Sequence, residues 1–132
     1  MLPKGLAPLA PVFQEAATKH GIDPRLLMAI SMHETGNGTS SAYRNKRNAM
    51  GVSDAKGPIS FTKAEESVER MARVLASPNG PYKNARTLAE IGKVYAPPGA
   101  GNDPRGLNSH WVAGVSKYLR KLGGDPNRIF TT

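Results

Sequence analysis

Glu34 is the residue of this chain best placed for proton chemistry. An amphipathic helix runs out there into the string Met32-His33-Glu34-Thr35-Gly36-Asn37-Gly38-Thr39-Ser40. A carboxyl at a helix C-terminus faces the negative end of the macrodipole, which disfavours its ionised form. Apolar neighbours push the same way, because a desolvated carboxylate costs more than a desolvated acid. A glutamate kept partly protonated near neutral pH can hand a proton to a leaving group, the general-acid half of glycoside cleavage. The alternative at this point is a solvated last-turn glutamate with no such role.

A second carboxylate is harder to find. An inverting glycosidase needs a base across the cleft and a retaining one a closer nucleophile. The segment downstream of Glu34 offers Asp54, in Val52-Ser53-Asp54-Ala55-Lys56-Gly57, either as that base or as a turn-former. Asp103, in Asn102-Asp103-Pro104, reads as a turn or cap residue. His20, His33 and His110 do not make a zinc site: His33-Glu34 lacks a second histidine one helical turn away, and the other two lie in remote segments. Neither a metal nor another cofactor is expected. His33 is expected to point away from Glu34, since adjacent helix positions do not share a face.

The elements that must position these groups can be read from periodicity and caps. Leu9, Val12, Phe13, Ala16 and Ala17 recur at helical spacing, giving a first helix that ends near His20-Gly21. Asp23-Pro24 reads as an N-cap followed by proline at the first helical position, and Leu27, Ile30 and Glu34 fall on one stripe of the helix that follows. Gly36 is the expected C-cap. Residues 37–60 are polar and small, with apolar islands at Ala49-Met50-Gly51-Val52 and Ile59-Phe61; they predict a loop-rich lobe with a short hairpin. Thr62-Lys63-Ala64-Glu65 and Thr87-Leu88-Ala89-Glu90 read as capping boxes opening two further helices. The first carries Val68, Met71, Ala72 and Leu75; the second carries Leu88, Ile91 and Tyr95. After an extended Pro- and Gly-rich stretch from Ala96 to Pro104, Asn108 or Ser109 caps a last helix holding Trp111, Val115, Leu119 and Leu122. Trp111 reads as core.

These elements sum to a mainly α fold of about five helices around a small irregular lobe. The chain has 132 residues, which bounds it to one domain, with a core spanning about 9–123. No cysteine is present, so neither a disulfide scaffold nor thiol chemistry is available. The net charge of +8 attracts polyanions, but the basic residues are scattered, which favours diffuse surface attraction over a nucleic-acid groove. No stretch has the length of a membrane span. Prolines interrupt the N-terminus where a signal peptide needs an apolar run. Either another export route or a domain of a longer chain is expected.

The order and spacing of these pieces resemble the lysozyme-like glucosaminidases of glycoside hydrolase family 73, bacterial and phage peptidoglycan hydrolases. The resemblance runs from about Phe13 to Leu122. It rests on the helix from Gly21 into His33-Glu34-Thr35-Gly36 and on Asn48-Ala49-Met50-Gly51-Val52. Tyr95-Ala96-Pro97-Pro98 and the approach from Asn102-Asp103 to Trp111 complete it. It implies a lysozyme-like fold with a glycan cleft between the helices and the lobe. It implies Glu34 as general acid toward a β-1,4-linked N-acetylhexosamine, with Tyr95 beside it orienting substrate or stabilising charge. Asn37, Ser40, Asn48, Met50 and Tyr43 are candidate substrate contacts, and Tyr82 a further stacking platform. The implied activity is an endo-β-N-acetylglucosaminidase on peptidoglycan strands, with a lytic transglycosylase or muramidase as the alternative and a non-catalytic wall-binding module as a different class. The expected setting is the cell wall or a virion, acting as a monomer without nucleic-acid or membrane partners.

Overall fold

The computed structural model of the chain describes residues 2–54, 56–95 and 109–131. Among them a 3₁₀ turn at Ala7–Leu9 is followed by six α-helices: α1 (Ala10–His20), α2 (Pro24–Glu34), α3 (Ser41–Lys46), α4 (Ala64–Ala76), α5 (Leu88–Tyr95) and α6 (Ser109–Lys121). Two two-residue strands, β1 (Ser53–Asp54) and β2 (Gly57–Pro58), pair antiparallel as the expected hairpin. The architecture is the mainly helical one that the periodicity predicts, with α3 in addition. That helix has no buried residue and therefore no apolar stripe to announce it; Ser40 caps it by accepting from the Tyr43 N–H at 3.2 Å.

α2 is the axis of the fold. Leu26 to Met32 are buried without interruption, so the helix is covered all round. α1 and α6 pack on it, and α4 closes over α1. Its start is fixed as expected: the Asp23 carboxylate accepts from the Arg25 N–H at 2.9 Å and also receives the Arg25 guanidinium, whose Nη1 donates to Gly123 O at the end of α6. Its end is fixed by Thr35, which is fully buried and occupies the C-cap, one residue before the expected Gly36. Thr35 Oγ1 donates to Ser31 O at 2.6 Å and accepts from Gly38 N at 2.8 Å, so the last turn cannot fray. Gly36 follows with φ +55°, the left-handed conformation that ends the helix.

Two other caps divide. The Thr87–Glu90 box forms reciprocally, with Thr87 N donating to Glu90 Oε1 and Glu90 N donating to Thr87 Oγ1. The box at 62–65 is shifted by one residue: Lys63 is the N-cap, and the Glu66 carboxylate accepts from its N–H at 2.8 Å. The core also extends past 9–123. Leu6 and Ile129 are both fully buried, and the C-terminal segment is stitched to the α1–α2 turn by Asp23 N to Ile129 O and Thr131 N to Gly21 O, each 2.9 Å. The extended stretch from Ala96 to Pro104, Asp103 and the cap at Asn108 lie outside the described residues.

The lobe is organised by Asn48, which is 1% exposed. Its Nδ2 donates to Val52 O at 2.7 Å and to Ile59 O at 3.0 Å, and its Oδ1 accepts from Val52 N at 3.1 Å. Asn48→Ala leaves all three backbone groups without this partner and is expected to destabilise the fold by about 2–3 kcal/mol, read from the midpoint of denaturant unfolding.

Candidate active site

Glu34 closes α2 beneath a cleft of about 660 Å³ whose walls come from α2, the lobe, α4, α5 and α6. One oxygen of its partly buried carboxyl, Oε1, accepts from Trp111 Nε1 at 2.8 Å. The Tyr95 hydroxyl stands beside the carboxyl and favours its anion, while its hydrogen bonds run to the carbonyls of Met50 and Gly51 at 3.4 and 3.5 Å and tie α5 to the lobe. Tyr95 and Trp111 are themselves stacked, with ring centroids 4.6 Å apart. That pairing rests on the close crossing of α5 and α6 at Gly92, where a Cβ would run into Val112.

These neighbours act on the proton of Glu34 in opposite directions. Burial pushes the carboxyl above the ordinary carboxylate range, while the Trp111 hydrogen bond and the nearby Tyr95 hydroxyl favour the anion and pull it back; burial wins. Glu34 is thus an acid that holds its proton to higher pH than a free glutamate. Burial and the facing Glu34 charge push the Tyr95 phenol far up, so it stays protonated and serves only as a donor. Trp111→Phe removes one of the two pulls on Glu34. The basic limb of the pH–activity profile, where the acid loses its proton, is expected to move to higher pH. Activity at the optimum is expected to fall about tenfold as the carboxyl loses an orienting bond. Rates measured across pH check both.

Gly51 supplies the other wall. Its φ is +67°, and a Cβ there would collide with the Glu34 carboxylate. The lobe therefore meets the acid with bare backbone. Sequence reasoning places the Asn-hydrophobic-Gly-hydrophobic element in the lobe without assigning Gly51 a role, and takes Trp111 for core. Trp111 is indeed 5% exposed. The available signal was its indole N–H, a donor that needs a partner when buried.

The structure brings Glu34 and Tyr95 together and sets the other candidates apart. Met50 is fully buried under the lobe. Asn48 spends its amide on the lobe backbone, as described above. Ser40 caps α3, and the Tyr43 hydroxyl donates to Gly5 O at 2.7 Å. Asn37 is exposed with φ +61°, a backbone position that favours asparagine and glycine. None of these five lines the cleft. Asp54 lies in β1 opposite Gly57, next to the cleft residue Ser53. Tyr82, 7% exposed, is in the cleft wall, and burial pushes its phenol up to about 12. His33, expected to point away, faces the cleft beside Glu34, with its ring against Gly114 of α6. Burial lowers the His33 pKa, which favours its neutral form. His20 is bound to Glu69 at 2.9 Å, and among the described residues no group of three potential metal ligands forms. No helix of the described residues is long and apolar enough to cross a membrane.

Solved structures share this fold. The catalytic domain of the autolysin Auto from Listeria monocytogenes superposes with a TM-score of 0.61 at 15% identity, covering 93% of this chain and 87% of that one. A type VI secretion system effector–immunity complex from Pseudomonas protegens gives 0.60 at 15% identity, covering 89% of each chain. The glycoside hydrolase domain of FlgJ from Salmonella typhimurium gives 0.56 at 17%, covering 90% and 86%. No curated protein matches the sequence. The family model for glucosaminidase, described as mannosyl-glycoprotein endo-beta-N-acetylglucosaminidase, matches residues 10–123. The match takes in α1 through α6 and with them Glu34, Gly51, Tyr95 and Trp111, so the chain belongs to the glucosaminidase family of glycoside hydrolases.

Proposed function

We propose that the protein is an endo-β-N-acetylglucosaminidase of the bacterial cell wall, with Glu34 as the general acid that protonates the glycosidic oxygen of the peptidoglycan strand. The observation that carries this is the state of the Glu34 carboxyl: it ends a buried helix, opens into the cleft, and is raised in pKa by burial while the Trp111 indole N–H fixes its orientation. The glucosaminidase family match and the autolysin catalytic domain among the similar structures support the substrate, and the +8 charge suits an anionic polymer.

Among the residues whose side chains are described, Glu34 is the single carboxylate in the cleft lining. A route that asks for no second protein carboxylate fits this. The 2-acetamido oxygen of the sugar bonds to C1 as the C1–O bond breaks and the proton of Glu34 passes to the departing oxygen. Water then opens the resulting ring at C1 and returns its proton to Glu34. Tyr95, always protonated, keeps its hydroxyl beside the carboxyl throughout. Asp54 as a base is the competing arrangement and gives the opposite stereochemistry.

Digestion of purified peptidoglycan, with products resolved by mass spectrometry and early anomers by NMR, tests this. The expected products carry a reducing N-acetylglucosamine end formed with retention. A reducing muramic end contradicts the bond assigned, a 1,6-anhydro end contradicts hydrolysis, and inversion replaces the acetamido route with the Asp54 one.

A further inference from the structure

The cleft holds one charge that the chemistry above does not use. Arg70, on the α4 wall, is exposed and lines the same cavity as Glu34. Among the described residues it makes no ion pair or hydrogen bond. The carboxylates nearest to it along α4 are engaged elsewhere: Glu69 takes His20 at 2.9 Å and Lys19 at 3.2 Å, and Glu66 accepts from the Lys63 N–H. The same cavity is lined by Val74, Tyr82 and Val94, and Val94 is 45% exposed, the one large hydrophobic so exposed among the described residues. An unpaired guanidinium in a cleft with apolar and aromatic lining is a receptor for a planar anion, because its fork matches the two oxygens of a carboxylate.

A polymer of N-acetylhexosamine has no charge of its own. The carboxylates on a cell-wall strand belong to the lactyl ether of alternate sugars where it is bare and, where a peptide is joined through that lactyl carbonyl, to the peptide. Resting on the peptidoglycan assignment, we propose that Arg70 binds a carboxylate of that substituent. It thereby makes the enzyme selective for acid-substituted strands over neutral strands of the same linkage. Arg70 is a specificity residue in this account: it holds the strand and takes no part in moving the proton.

The test pairs two substrates with three proteins. The substrates are solubilised peptidoglycan strands and the same strands after carbodiimide coupling to methylamine, which turns their carboxylates into neutral amides. The proteins are the wild type, Arg70→Gln, and Lys117→Gln, which removes one exposed charge from α6 outside the cleft. On native strands Arg70→Gln is expected to raise KM about tenfold with kcat little changed, while Lys117→Gln stays within about twofold of wild type. On amidated strands the wild type is expected to fall to the level of Arg70→Gln, and the difference between the two disappears. An equal penalty for Arg70→Gln on both substrates overturns the proposal, as does a penalty for Lys117→Gln as large as that for Arg70→Gln. If the wild type frees no reducing ends from either strand, the peptidoglycan assignment fails first and takes the Arg70 proposal with it.

Discussion

Glu34→Gln should abolish cell-wall lysis while leaving a folded and slightly more heat-resistant protein. The amide keeps an oxygen that can accept from Trp111 Nε1, so the geometry survives, but it has no proton to give. General-acid assistance contributes about 10²–10⁴-fold, and a loss of that size in kcat, with KM little changed, is expected on native strands. The stability effect follows from the raised pKa. A carboxyl whose folded pKa lies above its unfolded value contributes stability that is fully present below the unfolded value and is lost as pH rises through the folded one. As pH rises through the folded pKa the wild type loses that contribution and comes to carry a buried charge. Glu34→Gln has no such charge, so its melting temperature should gain on that of wild type as pH rises and converge with it in acid. Thermal unfolding followed at several pH values checks the sign. The active site would then be a place where the fold gives up stability for function.

Gly51→Ala should be nearly as damaging to activity, for a reason unrelated to proton transfer. A methyl at this position occupies the space of the Glu34 carboxylate, whose other oxygen is held by Trp111 Nε1. Either the acid swings off Trp111 or the lobe moves away and the cleft opens. A displacement of about 1 Å at a reacting group can cost about a hundredfold in rate, and a drop of at least that order in kcat is expected. The positive φ adds a backbone penalty of about 1 kcal/mol. Gly57→Ala separates the two effects. Gly57 has φ +113° with open space around it, so its alanine variant carries backbone strain without touching Glu34. Its melting temperature should fall while its specific activity stays near wild type.

Much of this site was legible because its determinants are local. Asp23-Pro24 marks the start of α2, Thr35-Gly36 its end, and the apolar run between them its burial; together they place a glutamate at the terminus of a covered helix. Tyr95 follows from the Thr87–Glu90 cap and the stripe that leads out of it. What sequence alone does not give depends on pairs far apart in the chain. The bond from Trp111 to Glu34 spans 77 residues, and nothing near Trp111 distinguishes a core indole from one that holds an acid. Gly51 meets Glu34 only because the lobe folds back, and Ile129 is buried only because the C-terminal segment returns to the α1–α2 turn. The polar residues after Glu34 mislead for a physical reason. Ser40 and Asn48 spend their hydrogen bonds on caps and lobe backbone, Asn37 suits a left-handed turn, and polarity near a catalytic helix does not tell these uses from contact with a sugar.

Glu34 supplies a proton to the departing sugar oxygen in this mechanism, and the need for that proton can be removed by changing the leaving group. Rates for wild type and Glu34→Gln should be compared on native strands and on a glycan oligomer ending in a 2,4-dinitrophenyl glycoside, whose phenolate departs unprotonated. Read as kcat/KM for release of the leaving group, which reports the bond-breaking step and not the later return of a proton from water to Glu34, the loss of about 10²–10⁴-fold on native strands should shrink to within about tenfold on the aryl glycoside. An equal loss on both substrates would show that Glu34 matters for something other than the proton, and would contradict the account.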